Sequence, residues 1–144
     1  DGEYEVMTGC GQQATGRRVE DWVSEMERRG AGEILLQSVN RDGVGKGYDT
    51  ELIRRVSTRV NVPVICCSGV GSFEHYAEGA QAGASAVAAA NIWHFKELTD
   101  RQGKRALARA GVDVRGVSSE RTRKGRRRVS QRGGPAEPAL LVTN

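Results

Sequence analysis

The sequence predicts an α/β fold in which a largely parallel sheet is covered on both faces by helices. Three observations carry this. Glu33 to Val39, Val62 to Cys67 and Ala86 to Ala90 are apolar runs of strand length. A strand that is apolar throughout is buried on both faces, as in a parallel sheet between two helix layers. The first two runs are followed by a polar, Gly-rich segment and then by helical spacing. Finally, two helix-to-strand joints match, Arg29-Gly30-Ala31-Gly32-Glu33-Ile34 and Ala82-Gly83-Ala84-Ser85-Ala86-Val87, 53 residues apart, and so enclose two βα units. Crossovers this short belong to a doubly wound sheet or to a (β/α)8 barrel.

Taken in order, Glu3 to Thr8 reads as a short strand, with Tyr4 and Val6 alternating with Glu3 and Glu5. Gly9-Cys10-Gly11 and Thr15-Gly16 read as loop. A helix starts near Arg18, because Val19, Trp22, Val23 and Met26 recur at i, i+3, i+4 and i+7. Gly30 and Gly32 end it. After the Glu33 to Val39 strand, Asp49 or Thr50 caps a helix with the stripe Leu52, Ile53, Val56 and Val60. Asn61-Val62-Pro63 breaks it, and the second strand begins there. Ser72 is a good cap for a helix running to about Ala82. Past the third strand come a single helical turn at Ile92 to Phe95 and a last helix from about Arg101 to Ala110. Val112 to Val114 closes the ordered part, so residues 1–115 form one domain.

Bulk numbers narrow the function. The chain has 144 residues, 38% of them hydrophobic, enough for one lean core. No apolar run is long enough to span a bilayer, and no signal-peptide pattern opens the chain. Of the three cysteines, Cys66 and Cys67 are adjacent, which argues against a disulfide framework and for a reducing, cytoplasmic setting. Two His and no Cys-x-x-Cys spacing argue against zinc, and neither a metal nor a cofactor is expected. The net charge of +4 is uneven: residues 1–115 hold 15 basic and 16 acidic groups, residues 116–144 seven and two. The basic character belongs to the tail, so nucleic-acid binding is not expected of the domain. Residues 116–144 are charged and without periodicity, and are expected to be disordered. Lys124 to Arg128 has the look of a nuclear-import or RNA-contact run, and Arg127 to Ser130 that of a basic-directed kinase site; both are short matches within a solvated tail.

Chemistry in parallel α/β sheets sits on the loops after the carboxyl ends of strands. Three such loops are expected side by side: Asn40 to Asp49, Ser68 to Ser72 and Asn91 to Phe95. Cys67-Ser68-Gly69-Val70-Gly71-Ser72 is the clearest phosphate candidate. Gly69 and Gly71 allow close backbone approach, and a helix N-terminus follows. The same spelling also suits an ordinary tight strand-to-helix turn. Asn91, ahead of a one-turn helix, fits the same ligand. Asp42 and Gly43 can touch it from the first loop, or can form an Asx turn. Arg41 reads as a salt-bridged rim residue. His75 and His94 read as structural, His75 finding a backbone partner. Cys10 and Cys67 have no indicated His partner and read as small core residues.

Together, Gly30 to Ile53, Val62 to Tyr76 and Gly83 to Leu98 resemble the C-terminal part of the cyclase subunit of imidazole glycerol phosphate synthase, over about residues 1–115. The resemblance implies the C-terminal portion of a (β/α)8 TIM barrel: a leading hairpin piece and about three βα units. It implies a cytoplasmic lyase of histidine biosynthesis that uses ammonia from a glutaminase partner and acts on a phosphorylated ribonucleotide. It places Asp42 and Gly43 at the family's substrate contact and Gly69 in its phosphate loop. Asn91 stands where the family usually has a Ser, Cys10 and Gln37 where it more often has Ser and Thr, and Asn40 where it has Asp. The spelling Cys67 to Gly71 also resembles a related branch that forms an amidine on a bacterial surface sugar. By the same resemblance both catalytic aspartates would precede Asp1, so no catalytic residue is expected within these 144. The substrate- and phosphate-binding set is Asp42, Gly43, Ser68, Gly69, Gly71 and Asn91. A half-barrel module that binds phosphate without catalysis is the remaining alternative, and the edge of the Glu33 to Val39 strand is expected to be exposed and apolar.

Overall fold

The computed structural model describes residues 2–95, 100–115 and 140–143. The element order begins with strands β1 (Glu5–Thr8) and β2 (Gln13–Arg18), helix α1 (Val19–Arg28), strand β3 (Ile34–Ser38) and a 3-10 turn at Val39–Arg41. Helix α2 (Thr50–Ser57), strand β4 (Val64–Cys67), helix α3 (Glu74–Gln81) and strand β5 (Ala86–Val87) follow. Helices α4 (Ile92–Phe95) and α5 (Asp100–Arg109) and strand β6 (Leu140–Thr143) complete it. One sheet of six strands runs in the order β2-β1-β6-β3-β4-β5. Strands β6, β3, β4 and β5 are mutually parallel, and β1 is antiparallel to both β2 and β6.

Burial follows the expected pattern in α2, whereas the strands, expected to be buried on both faces, alternate. Leu35, Gln37, Ile65 and Cys67 are half-buried, and in β5, only Ala86–Val87, Ala86 is exposed and Val87 half-buried. Ile34, Leu36 and Ser38 point into the core along β3, as do Val64 and Cys66 along β4. The α2 stripe of Leu52, Ile53 and Val56, with Val60 beyond the helix, is buried. Asp49 caps α2: its Oδ1 accepts from the Leu52 N–H at 3.1 Å. The two matching joints share one local structure. Gly30 (φ +98°) donates to Glu27 O and Ala31 to Met26 O; Gly83 (φ +111°) donates to Ala80 O and Ala84 to Gly79 O. Both are Schellman motifs, and Gly111-Val112 after α5 makes a third.

Three further expectations are corrected. Thr15-Gly16 is not loop but part of β2. Only Thr15 of this strand is even partly buried and its other residues are exposed, so no apolar alternation marks it. The tail does not stay outside the fold throughout, because Leu140–Thr143 is a strand paired on both sides. Its pairing is with β1 and β3, far away in sequence, and the local composition carries no trace of that. The β3 edge is therefore occupied rather than exposed. The expected disorder of residues 116–139, with Lys124 to Ser130, falls outside the described residues. No described helix is long and apolar enough to cross a membrane.

Candidate functional site

Parallel register brings the ends of β3 and β4 together. Gln37 pairs with Cys67, and Gln37 Nε2 lies 4.0 Å from Cys67 Sγ. Beyond β3 the chain makes one tight turn, with the Asp42 N–H donating to Ser38 O at 3.1 Å, and then runs through Gly43, Gly45 and Gly47, all with positive φ. Beyond β4, Ser68 (φ +84°) and Gly69 (φ +85°) are also left-handed.

These two loops lock backbone to backbone. The Gly47 N–H donates to Gly69 O at 2.7 Å. A Cβ on Gly69 would sit 2.3 Å from Gly47 O, and one on Gly71 would sit 2.0 Å from Gly45 O. The glycines expected to bare the backbone for a ligand are thus required by the neighbouring loop. His75 supports the far side: its Nδ1 accepts from the Gly71 N–H (3.1 Å) and the Ser72 N–H (3.4 Å). This is the backbone partner expected for His75. It also corrects the expected Ser72 cap, since α3 starts after Phe73, whose side chain makes no capping bond. Tyr48 anchors the first loop from behind, with Oη donating to Ala88 O at 2.8 Å.

A cavity of about 340 Å³ opens at these strand ends, and Asp42, Gly43, Ser68, Gly69 and Asn91 all line it, with Gln37 and Cys67 beside them. Gly71 does not line it, and its N–H is turned to His75. Five of the six expected residues are therefore brought together. Asn91 immediately precedes α4, which forms over the expected Ile92–Phe95. Cys10 is exposed in the β1–β2 turn, away from this cavity, which corrects its reading as a core residue. The side chain of His94 falls outside the described residues.

Ser68 stands apart. It is 5% exposed, holds a left-handed backbone that non-Gly residues seldom adopt, and its buried Oγ has no hydrogen-bond partner among the described residues. Ser38 Oγ, at the end of β3, is likewise buried without a partner. An orphaned hydroxyl and a strained backbone together cost a few kcal/mol, on the order of 1–3 each, and such costs cluster at ligand sites. Behind the cavity, burial pushes the Cys66 thiol up to about 12 and holds the Tyr48 phenol well above its ordinary range. Both stay neutral, so neither puts a negative charge behind an anion site. Among the described residues, no three His, Cys, Asp or Glu side chains gather in a way that could hold a metal ion.

A larger recess of about 590 Å³ lies beside α1, lined by Arg17, Trp22, Glu25, Arg28 and Arg29. Arg28 and Arg29 are paired with Glu25, and Arg17 lies over the Trp22 ring at 4.7 Å. It is a charged, largely self-paired helix face and shares no lining residue with the strand-end cavity. Sequence reasoning put Cys67 at the head of the phosphate-candidate loop and, by resemblance, Gln37 at a position where the family more often has a Thr near the ligand, but took neither into the binding set; it missed Ser38 and Tyr48. The signal that could have found Tyr48 is an aromatic residue directly after a Gly-rich loop and before a helix cap.

The sequence is similar to several curated proteins. Imidazole glycerol phosphate synthase subunit HisF of Gluconacetobacter diazotrophicus is 50% identical over 114 residues, 79% of this chain and 44% of that protein. The subunit HisF of Pyrobaculum aerophilum is 53% identical over 112 residues, 78% of this chain and 44% of that protein. The chain thus spans less than half the length of these curated relatives. Among solved structures, a chain in the crystal structure of the Amycolatopsis orientalis BexX/CysO complex overlays with a TM-score of 0.52 at 20% identity, covering 67% of this chain and 43% of that one, which speaks to the fold alone. The parallel strands and covering helices of the present chain are consistent with part of a TIM barrel. The pattern of the histidine biosynthesis protein family matches residues 1–99, most of the described fold and all of the cavity, and the chain belongs to that family.

Proposed function

We propose that this chain supplies a phosphate-holding site of an amidotransferase-coupled cyclase, a lyase acting on a phosphorylated ribonucleotide in histidine biosynthesis with ammonia from a glutaminase subunit. The observation that carries the reading is Ser68, whose buried, orphaned hydroxyl lines the same cavity as Asp42, Gly43, Gly69 and Asn91. A phosphate oxygen there would supply the missing partner. Gly43, with open space where a Cβ would stand, leaves room for close backbone approach, and the Asn91 amide can donate from the rim. Among the described residues Asp42 is the one carboxylate lining the cavity, and it suits ligand hydroxyls better than the phosphate itself. The family's description supports the pathway, and the curated relatives' names, imidazole glycerol phosphate synthase subunits, support the synthase role.

With a single carboxylate, the site is built to hold and orient rather than to run paired acid–base chemistry. The 144-residue polypeptide is expected to bind a phosphorylated ribonucleotide, and inorganic phosphate more weakly, without ring closure. Calorimetric titration of both ligands tests this. Ser68→Ala should weaken phosphate binding about tenfold, the loss of one charge-assisted hydrogen bond. Equal binding by parent and variant would remove Ser68 from the site. Ring closure with free ammonia well above background would overturn the holding-only role.

A further inference from the structure

Strand β6 lies between two walls that are joined without it. On one side is the β1–β2 hairpin. Tyr4, one residue before β1, donates from its Oη to Asp49 Oδ1 at 2.8 Å and accepts the Val19 N–H on its carbonyl at 3.0 Å. At the hairpin tip, a Cβ on Gly11 would lie 3.0 Å from the Val39 methyl carbons, so the turn rests on the residue that follows β3. On the other side is the β3–β4–β5 sheet. The hairpin is therefore tied to α2 and to the end of β3 at both of its ends. Between β1 and β3 this leaves a slot two strand spacings wide, about 10 Å.

Strand β6 fills it, parallel to β3 (Leu36 with Leu140, Gln37 with Leu141, Ser38 with Val142) and antiparallel to β1 (Glu5 with Thr143, Val6 with Val142, Met7 with Leu141). It arrives from the end of the chain, joined to the rest through residues 116–139.

We propose that the β1–β3 slot is a strand-acceptor site, with Leu140–Thr143 as its resident and exchangeable occupant. The ligand class is an extended, mostly apolar peptide segment of branched residues, as in Leu140-Leu141-Val142-Thr143, that runs parallel to β3. Backbone hydrogen bonds to two strands give such a site its affinity. A tethered occupant is present at an effective concentration on the order of millimolar, so the chain's own strand outcompetes dilute strangers. Filling the slot also removes two bare strand edges at once, which suppresses edge-to-edge association. This inference is independent of the phosphate reading.

The test uses the full chain with a specific protease site inserted after Gly125, cut once folded. A fluorescent peptide of residues 138–144 is then followed by anisotropy, with circular dichroism as the folding readout. The expected result is that the cut C-terminal piece co-elutes with the body and that the labelled peptide exchanges into the cut protein. Binding to the uncut chain should be at least about tenfold weaker, because the tethered strand competes. The same peptide carrying Val142→Pro should not bind, since that position pairs on both sides. Equal binding to cut and uncut chains would overturn the proposal. So would a piece that leaves a folded body unable to take up peptide. A body that unfolds on losing the piece and is not restored by peptide also overturns it, since the walls would then not stand alone.

Discussion

The strand-end loops and the β1–β2 hairpin are both turn-rich, and both rely on glycines with positive φ, yet they are held in opposite ways. The loops are locked backbone to backbone, Gly47 on Gly69 and Gly45 against Gly71. The hairpin is pinned by side chains: Tyr4 to Asp49, Thr15 Oγ1 to Val6 O at 2.7 Å, and Gly11 against Val39. Gly16, in the hairpin, has φ +71° but nothing within 4 Å of an added Cβ. A backbone lock has no side chain that can give way, so it should fail abruptly where the hairpin loosens by degrees.

The largest expected effect follows directly. Gly69→Ala places a methyl into Gly47 O and forces a left-handed alanine, so it should cost about 4 kcal/mol or prevent folding. Gly16→Ala bears only the conformational cost, about 1 kcal/mol. Urea midpoints compare the two. Equal losses would erase the distinction between the regions.

His75→Ala comes next. It strips the acceptor from the Gly71 and Ser72 N–H groups, which should cost about 2 kcal/mol. If the lock depends on this support, phosphate binding should weaken with it, while amide exchange in the hairpin stays unchanged. Hairpin amides that loosen equally would show that the two regions unfold as one.

This division was only half legible in the sequence. Apolar runs of strand length announced β3 and β4, and periodicity announced the α2 stripe and α1, because each of these signals is written in neighbouring residues. The Gly30 and Gly83 joints were legible as a repeated motif, since a Schellman turn is written in consecutive residues. The cavity-lining residues Asp42, Gly43, Ser68, Gly69 and Asn91 were legible because strand ends in a parallel sheet share a side. The interlock was not, since Gly45 and Gly71 meet only through space. Strand β2 lacks a buried face, and β6 owes its place to partners far away in the chain.

The smallest effect sharpens the hairpin side. Burial and the hydrogen bond to Asp49 push the Tyr4 phenol up from its ordinary 10.0 to about 12. The folded chain holds that proton more tightly than the unfolded chain does. Its contribution is therefore complete below about pH 10 and is lost as pH climbs toward about 12. The Cys66 thiol, raised from 9.0 to about 12 by burial, adds a loss that begins lower. Tyr4→Phe should cost about 1 kcal/mol at neutral pH, the value of one hydrogen bond, and should flatten the alkaline loss without removing the part due to Cys66. Urea midpoints taken at several pH values between about 9 and 12 measure both. A variant whose stability falls as steeply as the parent's would show that Tyr4 does not hold its proton through Asp49. The hairpin would then owe its position to the Gly11–Val39 contact and to β6, not to the link with α2.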